Sequence, residues 1–377
     1  MPQKGNMLKV PVSGQVTGVE ETDAVERVMF SKRFAPGPVA EQFESEFAQF
    51  VGKRYGLFVN SGSSANLLAV TGYVDHYHPH NYTVVLPAVL FPTTINPYLQ
   101  NDYRVKLCDI DLETLQAVRG GNHGVHVLGN YSKLLGIEDS CDAMFPGRYS
   151  GEIQTFSFYP AHFMTTGEGG MVTTNDPLLY RAMKSIRDWG RDCWCRGGED
   201  NTCGKRFKQQ FGNMPYGYDH KYIYSRIGYN LNNTEMAAAI GVEQLKKLPA
   251  FLETRKRHFS RIYTHMQKYA DQFVLPKTVL PDTAWFGFPF IVNSDKFTKC
   301  ELVKWFDEHG VGTRQIMTGN VMRQPAYLNH PQIKKFGELT NADIITEQSF
   351  WIGCWHGLSN EQVEYALEVI DGFFERH

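Results

Sequence analysis

Tyr55-Gly-Leu-Phe-Val-Asn-Ser-Gly-Ser-Ser-Ala-Asn-Leu-Leu-Ala-Val-Thr-Gly-Tyr73 is the stretch on which the fold turns. Its first five residues, 55–59, form a short apolar strand, and the small-residue turn Asn60-Ser-Gly-Ser-Ser64 follows. A helical run over 65–73 begins directly after the turn. Small residues at such a junction let backbone N–H groups approach an anion, and the start of a helix adds a favourable field. The same residues also suit a plain strand-to-helix turn, so the meaning of this stretch depends on its surroundings.

Upstream, residues 38–51 (PVAEQFESEFAQFV) place Phe43, Phe47 and Val51 on one stripe, an amphipathic helix. Downstream, strand patterns fall at 82–86, 103–108, 125–128, 134–137, 155–158 and 170–174, with helices at 177–189 and 234–248. Alternation of this kind predicts an α/β sheet, largely parallel, with helices on both faces. Only residues 129–133 separate two of those strands, whereas a parallel crossover needs about a dozen residues. Either one strand is misplaced or the crossover helix has been trimmed away.

From Pro249 the pattern changes. A long helix over 250–269, a strand over 285–292 and helices over 299–309 and 360–374 predict a smaller α+β unit. The expected division is therefore 1–248 for a large domain, with a cysteine-bearing segment at 187–222, and 249–377 for a small one.

A chain of 377 residues, 42% hydrophobic, can bury a sizeable core. A net charge of −2 with dispersed Lys and Arg sets nucleic acid aside as a partner. No run approaches the roughly 18 apolar residues of a membrane span, and the first residues lack an apolar signal core. A cytoplasmic enzyme is the expectation. Seven cysteines, an odd number, argue against a disulfide framework.

Three further segments give the 60–64 turn its meaning. Leu86-Pro-Ala-Val-Leu-Phe-Pro-Thr-Thr94 ends a strand with an aromatic that suits covering a planar ring. Ile137-Glu-Asp139 ends another in an acid suited to a protonated pyridine nitrogen. The third is Phe156-Ser-Phe-Tyr-Pro-Ala-His-Phe-Met-Thr-Thr-Gly-Glu-Gly-Gly170. The ordered set SGSSA, LPAVLFPTT, IEDSCDA, FSFYPAH, TTGEGGMVTTND and GYNLNNTEMAAAIG resembles the DegT/DnrJ/EryC1/StrS sugar aminotransferases over nearly the whole chain.

That resemblance implies a PLP-dependent transferase of fold type I, like aspartate aminotransferase. It also implies the site roles. Gly62, Ser63 and Ser64, with the Ser157 hydroxyl, hold the cofactor phosphate. Phe91 stacks on the ring, and Asp139 pairs with the ring nitrogen and preserves its electron sink. Asp142 stands where the family has Gln or His near the ring. Asn230 reaches the phosphate of a neighbouring subunit, which implies a homodimer with shared active sites.

One position departs from the family pattern. The family's lysine lies five residues after the FSF serine, and here that place is taken by His162. Histidine cannot form the covalent Schiff-base link, so the implied resting cofactor is pyridoxamine 5'-phosphate, held non-covalently. Imidazole still moves protons near neutral pH. A lone histidine is more often a core or surface residue. At this position the resemblance makes it the catalytic base.

Cys193, Cys195 and Cys203 fall within eleven residues, and Cys141 follows Asp139 by two. Thiolates at such spacing suit an iron–sulfur cluster or a structural zinc, and unconnected thiols remain the bland alternative. RDWGRDCWC, DNTCGKRF and YGYDHKY resemble, within the family, the 3-dehydrases of 3,6-dideoxysugar pathways, which combine the His-for-Lys change with a four-cysteine [2Fe–2S] site. Cys141 and Cys193 stand closer in sequence than is usual there, and the 147–153 region is the expected place of that shortening. Cys108 is the rival fourth ligand.

The resemblance thus implies a C3 dehydratase acting on a nucleotide-diphosphate 4-keto-6-deoxyhexose, with a flavin/iron–sulfur reductase as electron donor. Two alternatives stand beside it. One is a cluster-free sugar 3-dehydratase like those acting on GDP-4-keto-6-deoxymannose, and the other is an inert relative that kept the fold.

Overall fold

The computed structural model describes residues 8–77, 82–133, 136–195 and 199–376. The opening stretch folds as read: β1 (Tyr55–Val59) runs into α3 (Gly62–Tyr77). Two helices precede them, α1 (Val19–Ser31) and α2 (Pro38–Phe50). In α2 the predicted stripe is the buried one, because Phe43, Phe47 and Val51 are almost wholly excluded from water. Phe43 packs edge-on to Phe58 of β1, with centroids 5.1 Å apart. Truncating either phenylalanine to alanine costs about 3–5 kcal/mol.

The remaining elements follow in chain order. They are β2 (Thr83–Pro87), α4 (Pro92–Gln100), β3 (Arg104–Cys108), β4 (His123–Val125), β5 (Ile137–Asp139), β6 (Ile153–Ser157), β7 (Gly170–Thr174) and α5 (Pro177–Arg187). After them come α6 (Glu235–Met266), β8 (Gly287–Ile291), α7 (Lys299–Glu308), β9 (Thr313–Arg314), β10 (Ile333–Lys335), α8 (Thr340–Gln348), β11 (Ser349–Gly353) and α9 (Asn360–Phe374).

Five strands form one sheet in the order β1-β7-β6-β5-β4, and β10-β3-β2 forms a second whose strand β2 lies beside β4. The pairs β4/β5 and β5/β6 are parallel, and β7 is antiparallel to both β1 and β6. β1 therefore runs the same way as β4, β5 and β6, and the large sheet is mostly parallel, as expected. A separate antiparallel sheet, β8-β11-β9, belongs to the C-terminal part.

Three readings need correction. The strand predicted at 125–128 ends at Val125, and the chain then makes a tight 3₁₀ turn at Val127–Gly129. Leu128 sits there with φ 49°, a left-handed conformation that a branched side chain adopts at a cost. Among the described residues the crossover from β4 to β5 carries no α-helix, so the strand was misplaced and the crossover is trimmed as well. Of the strand expected at 134–137, residues 134 and 135 lie outside the described residues, and β5 begins at Ile137.

The two helices predicted on either side of Pro249 are one. α6 runs 32 residues with Pro249 inside it, and its buried residues continue from Leu248 to Leu252, Arg255 and Phe259. The expected 248/249 division thus falls within a single helix. The start of the chain also crosses it, because Val10 exchanges backbone hydrogen bonds with Gly310 and Gly312. The helices α1, α4 and α8 and the short strands β9, β10 and β11 carried no signal that was read from the sequence.

Candidate active site

A cleft of about 570 Å³ opens where the strands of the large sheet end and the C-terminal part begins. Ser61 and Gly62 reach it after β1, Asp139 at the end of β5 and Ser157 at the end of β6. Phe286, Arg314 and Trp351 close it from the C-terminal part. Ligands of open α/β sheets bind at such carboxyl ends, because the helices that follow aim their N-terminal N–H groups there.

At one end of the cleft the start of α3 is pinned by its own side chains. The Ser64 amide donates to Ser61 Oγ at 3.0 Å, an N-cap, and the Ser63 hydroxyl donates to Thr93 at 3.0 Å. Gly62 is there for space. A Cβ on it would stand 2.6 Å from Ser157 Cβ and 3.0 Å from Cys141 Sγ. Gly62, Ser63 and Ser157 line the cleft as predicted, and Ser61 joins them. Ser64 is not among the lining residues, and its hydroxyl accepts from Ser61 Oγ at 3.0 Å.

At the other end Asp139, almost fully buried, accepts three hydrogen bonds. Asn66 Nδ2 donates to Oδ2 at 2.9 Å, Thr94 Oγ1 donates to the same oxygen at 2.6 Å, and the Cys141 amide donates to Oδ1 at 3.1 Å. Asn66 is itself oriented by Thr155, whose hydroxyl donates to Asn66 Oδ1 at 2.6 Å. This support was missed in the sequence. Its signal was present, since Asn66 is the one polar residue within the apolar run 65–70.

His162 lines the cleft between these ends, on a turn closed by its amide donating to the Tyr159 carbonyl. Its Nδ1 lies 3.4 Å from Asp142 Oδ1, with 15% and 11% of the two side chains exposed. That is ion-pair distance without hydrogen-bond alignment, and Nδ1 is buried with no hydrogen-bond partner. Burial first, and the charge of Arg255 second, push the His162 imidazole down to about 4, against the pull of Asp139. Burial, reinforced by Asp139, raises Asp142 to about 7, while Arg255 opposes the rise. His162 is therefore a free base over the physiological range.

Phe91 stands at the head of α4, 53% exposed and lining the cleft, free to cover a planar ring. Asn230 is exposed and lies outside the cleft of its own chain. Among the described lining residues there is no lysine. The donor set fits pyridoxamine phosphate: amide and hydroxyl donors for an anion at one end, a fixed carboxylate at the other, and an unpartnered imidazole nitrogen between.

The cysteines divide. Cys193, Cys195 and Cys203 line one small pocket with Arg206 and His220. Thr202 Oγ1 donates to Cys195 Sγ at 3.0 Å and the Lys205 amide to Cys203 Sγ at 3.4 Å. Cys141 is not with them. It lines the main cleft against Gly62, and burial, with Asp139 and Asp142 close by, holds its thiol far above the usual range. The rival Cys108 is buried at the end of β3, its thiol on the Arg119 carbonyl. Among the described residues no group of three or more Cys, His, Asp or Glu is arranged to hold a metal ion. Three gathered thiols without a fourth do not make the expected four-thiolate cage within one chain.

This fold and cleft define a vitamin B6-dependent enzyme of fold type I. The chain belongs to the DegT/DnrJ/EryC1/StrS aminotransferase family, whose model matches residues 15–118 and 124–371. It is 39% identical over 402 residues to the lipopolysaccharide biosynthesis protein RfbH of Salmonella typhimurium, covering 97% of this chain and 92% of that protein. It is 38% identical to the dTDP-4-dehydro-2,6-dideoxy-D-glucose 3-dehydratase of Saccharopolyspora spinosa, covering 96% of this chain and 86% of that one. Among solved structures, the E. coli GDP-4-keto-6-deoxy-D-mannose-3-dehydratase with bound hydrated PLP matches with a TM-score of 0.85 at 26% identity, covering 97% of this chain and 100% of that one. No helix among the described residues is long and apolar enough to cross a membrane.

Proposed function

We propose that this enzyme is a pyridoxamine phosphate-dependent 3-dehydratase of a nucleotide-diphosphate 4-keto-6-deoxyhexose, removing the C3 hydroxyl as water. The observation that carries the proposal is His162, placed beside Asp142 in a cleft whose described lining holds no lysine. When bound, the cofactor supplies an amine for the sugar's keto carbon and a ring that withdraws electrons. Gly62, Ser63 and Ser157 hold its phosphate, Phe91 covers the ring, and Asp139 faces the ring nitrogen. With Nδ1 turned to Asp142, His162 accepts the proton at Nε2, and Asp142 compensates the charge that forms. Asn230 completes the phosphate site of a partner subunit in a homodimer.

The test is incubation of the cofactor-loaded protein with CDP- and dTDP-4-keto-6-deoxyglucose. Release of a 3-deoxy-4-keto sugar, one oxygen lighter than the substrate, with pyridoxamine phosphate oxidised to pyridoxal phosphate as the reductant, is the expected result, and the better substrate names the nucleotide. Transfer of the amine without loss of water would refute the dehydratase reading.

A second reading adds a [2Fe–2S] cluster and a flavin/iron–sulfur reductase that delivers electrons to it. The gathered thiols of Cys193, Cys195 and Cys203 favour it. Cys141 as the fourth ligand is its weakest member, standing in a different cavity. Iron and sulfide analysis of anaerobically purified protein decides it: about two of each per chain supports the cluster, and zinc or no metal leaves the cluster-free dehydratase.

A further inference from the structure

Arg255 is a buried cation outside the machinery described above. It lies on α6, its side chain wholly excluded from water. Its neighbours are two carbonyls and two rings. Nη2 donates to the His162 carbonyl at 2.9 Å and Nη1 to the Phe286 carbonyl at 3.0 Å. The guanidinium carbon sits 4.4 Å from the Phe163 ring centroid and 5.5 Å from that of Phe286. Nε has no hydrogen-bond partner. No carboxylate comes within ion-pair reach among the described residues, and the acidic groups whose field it feels are Cys354 and then Asp142.

A buried charge without a counterion is costly to the fold, and an apolar side chain of the same size is cheaper to bury. What Arg255 holds points to its use. The two carbonyls belong to His162 and to Phe286, whose ring leans on the His162 imidazole at 5.3 Å and 36°. One guanidinium therefore fixes both the backbone of the base and the ring packed against it.

We propose that Arg255 is a positioning residue for the His162 base, clamping the turn that carries the imidazole and keeping that imidazole ready to accept a proton. It touches neither the cleft nor the substrate, and it acts through His162. This rests on the assignment of His162 as base. The charged and titratable groups that face His162 are Asp142 on the loop after β5, Asp139 at the end of β5, and Arg255 on α6. His126, Cys141, Tyr159, Glu168 and Arg314 share the cleft with it. The Arg255 charge holds down the proton affinity of both His162 and Asp142. Removing that charge moves the acid limb that His162 sets to higher pH.

The experiment compares wild type, Arg255→Met and Arg255→Lys, all full-length and cofactor-loaded. The His162 ring is followed by NMR in histidine-labelled protein and assigned with His162→Asn. In Arg255→Met the pH at which the imidazole protonates rises by roughly one unit or more. The acid limb of turnover moves with it, and pyridoxamine phosphate affinity stays unchanged. Arg255→Lys keeps the charge and so keeps the titration, but loses the two-carbonyl fork. Its kcat falls about tenfold, the scale of a lost charge-assisted hydrogen bond, with KM little changed. An unshifted His162 titration in Arg255→Met overturns the proposal. If Arg255→Met does not fold, wild-type kcat in Arg255→Lys overturns it. The NMR titration needs no turnover, so a shift there combined with no dehydration of any sugar refutes the function and leaves the role of Arg255 standing.

Discussion

The cleft and the cysteine segment solve the problem of holding reactive side chains in opposite ways. In the cleft each reactive group has support from a neighbouring element. Asp139 has three donors from α3, α4 and its own loop, and His162 is gripped from behind by Arg255. Among its described residues the segment between α5 and α6 has no α-helix or strand of its own and presents Phe207, Tyr216, Tyr222, Tyr224 and Ile227 to solvent, each more than half exposed. Its three thiols meet in a pocket formed by turns. The cleft is preorganised by the fold of one chain. Among the described residues the cysteine pocket offers no group of three or more ligands arranged for a metal ion.

The sharpest way to break this comparison is His162→Asn. It should lower dehydration by about 10²–10⁴-fold, typical of a missing general base, while cofactor affinity survives. Full activity, measured as release of the 3-deoxy-4-keto sugar, would place the base elsewhere.

Asp139→Asn comes next. It keeps the shape but removes the charge that faces the ring nitrogen, and should weaken pyridoxamine phosphate binding by about 10–100-fold, as for a lost charged hydrogen bond. Fluorescence titration of the cofactor measures it. An unchanged affinity would mean that the supporting Asn66 and Thr94 serve the fold alone.

Acid stability sharpens the contrast from the buried side. Burial pushes His123 and His162 down to about 4 and His126 to about 3. Their unfolded value is about 6.5, so below that the unfolded chain takes up protons that the folded chain refuses. Stability is full above pH ~6.5 and falls toward pH ~4. Asp142, raised to about 7, works in the opposite direction over the same range. His162→Asn removes one histidine term, so denaturant unfolding at pH 7 and pH 5 should show a fall shallower by about 2 kcal/mol. Parallel curves would mean that burial does not hold the His162 proton off.

The smallest effects belong to the cysteines. Cys193→Ser, Cys195→Ser and Cys203→Ser should each abolish any bound iron and leave the His162-dependent step within about twofold, because their pocket is separate from the cleft. Cys300→Ser, at an exposed helix position, should change nothing. Retention of iron in all three variants would dissolve the pocket's claim to metal.

Much of this was legible. Period-two and helical patterning located β1, α2, β7, α7 and α9 to within about three residues, because each carries its own apolar face. Most of the cleft's lining groups that were named from motifs stand together in it, because those motifs lie at strand ends. What was not legible came from partners distant in sequence. β9, at two residues, is too short for any pattern and exists because β11 pairs with it. Pro249 read as a boundary because proline is normally costly inside a helix, yet tertiary packing of Leu248 and Leu252 carries α6 through it. Arg255 read as one more charge on a helix.

The sequence by itself determined the class of fold, the histidine at the family's lysine position and the three neighbouring thiols, since each is read from residue type and spacing. Only the tertiary structure decided that Ser61 lines the cleft, that Asn66 and Thr94 fix Asp139, and that Cys141 stands in the cleft apart from the other cysteines. It alone put Arg255 behind His162, 93 residues away in sequence. The physical reason is that residue type and spacing encode chemistry and periodicity, whereas burial and the direction of a hydrogen bond come into being only when distant segments pack.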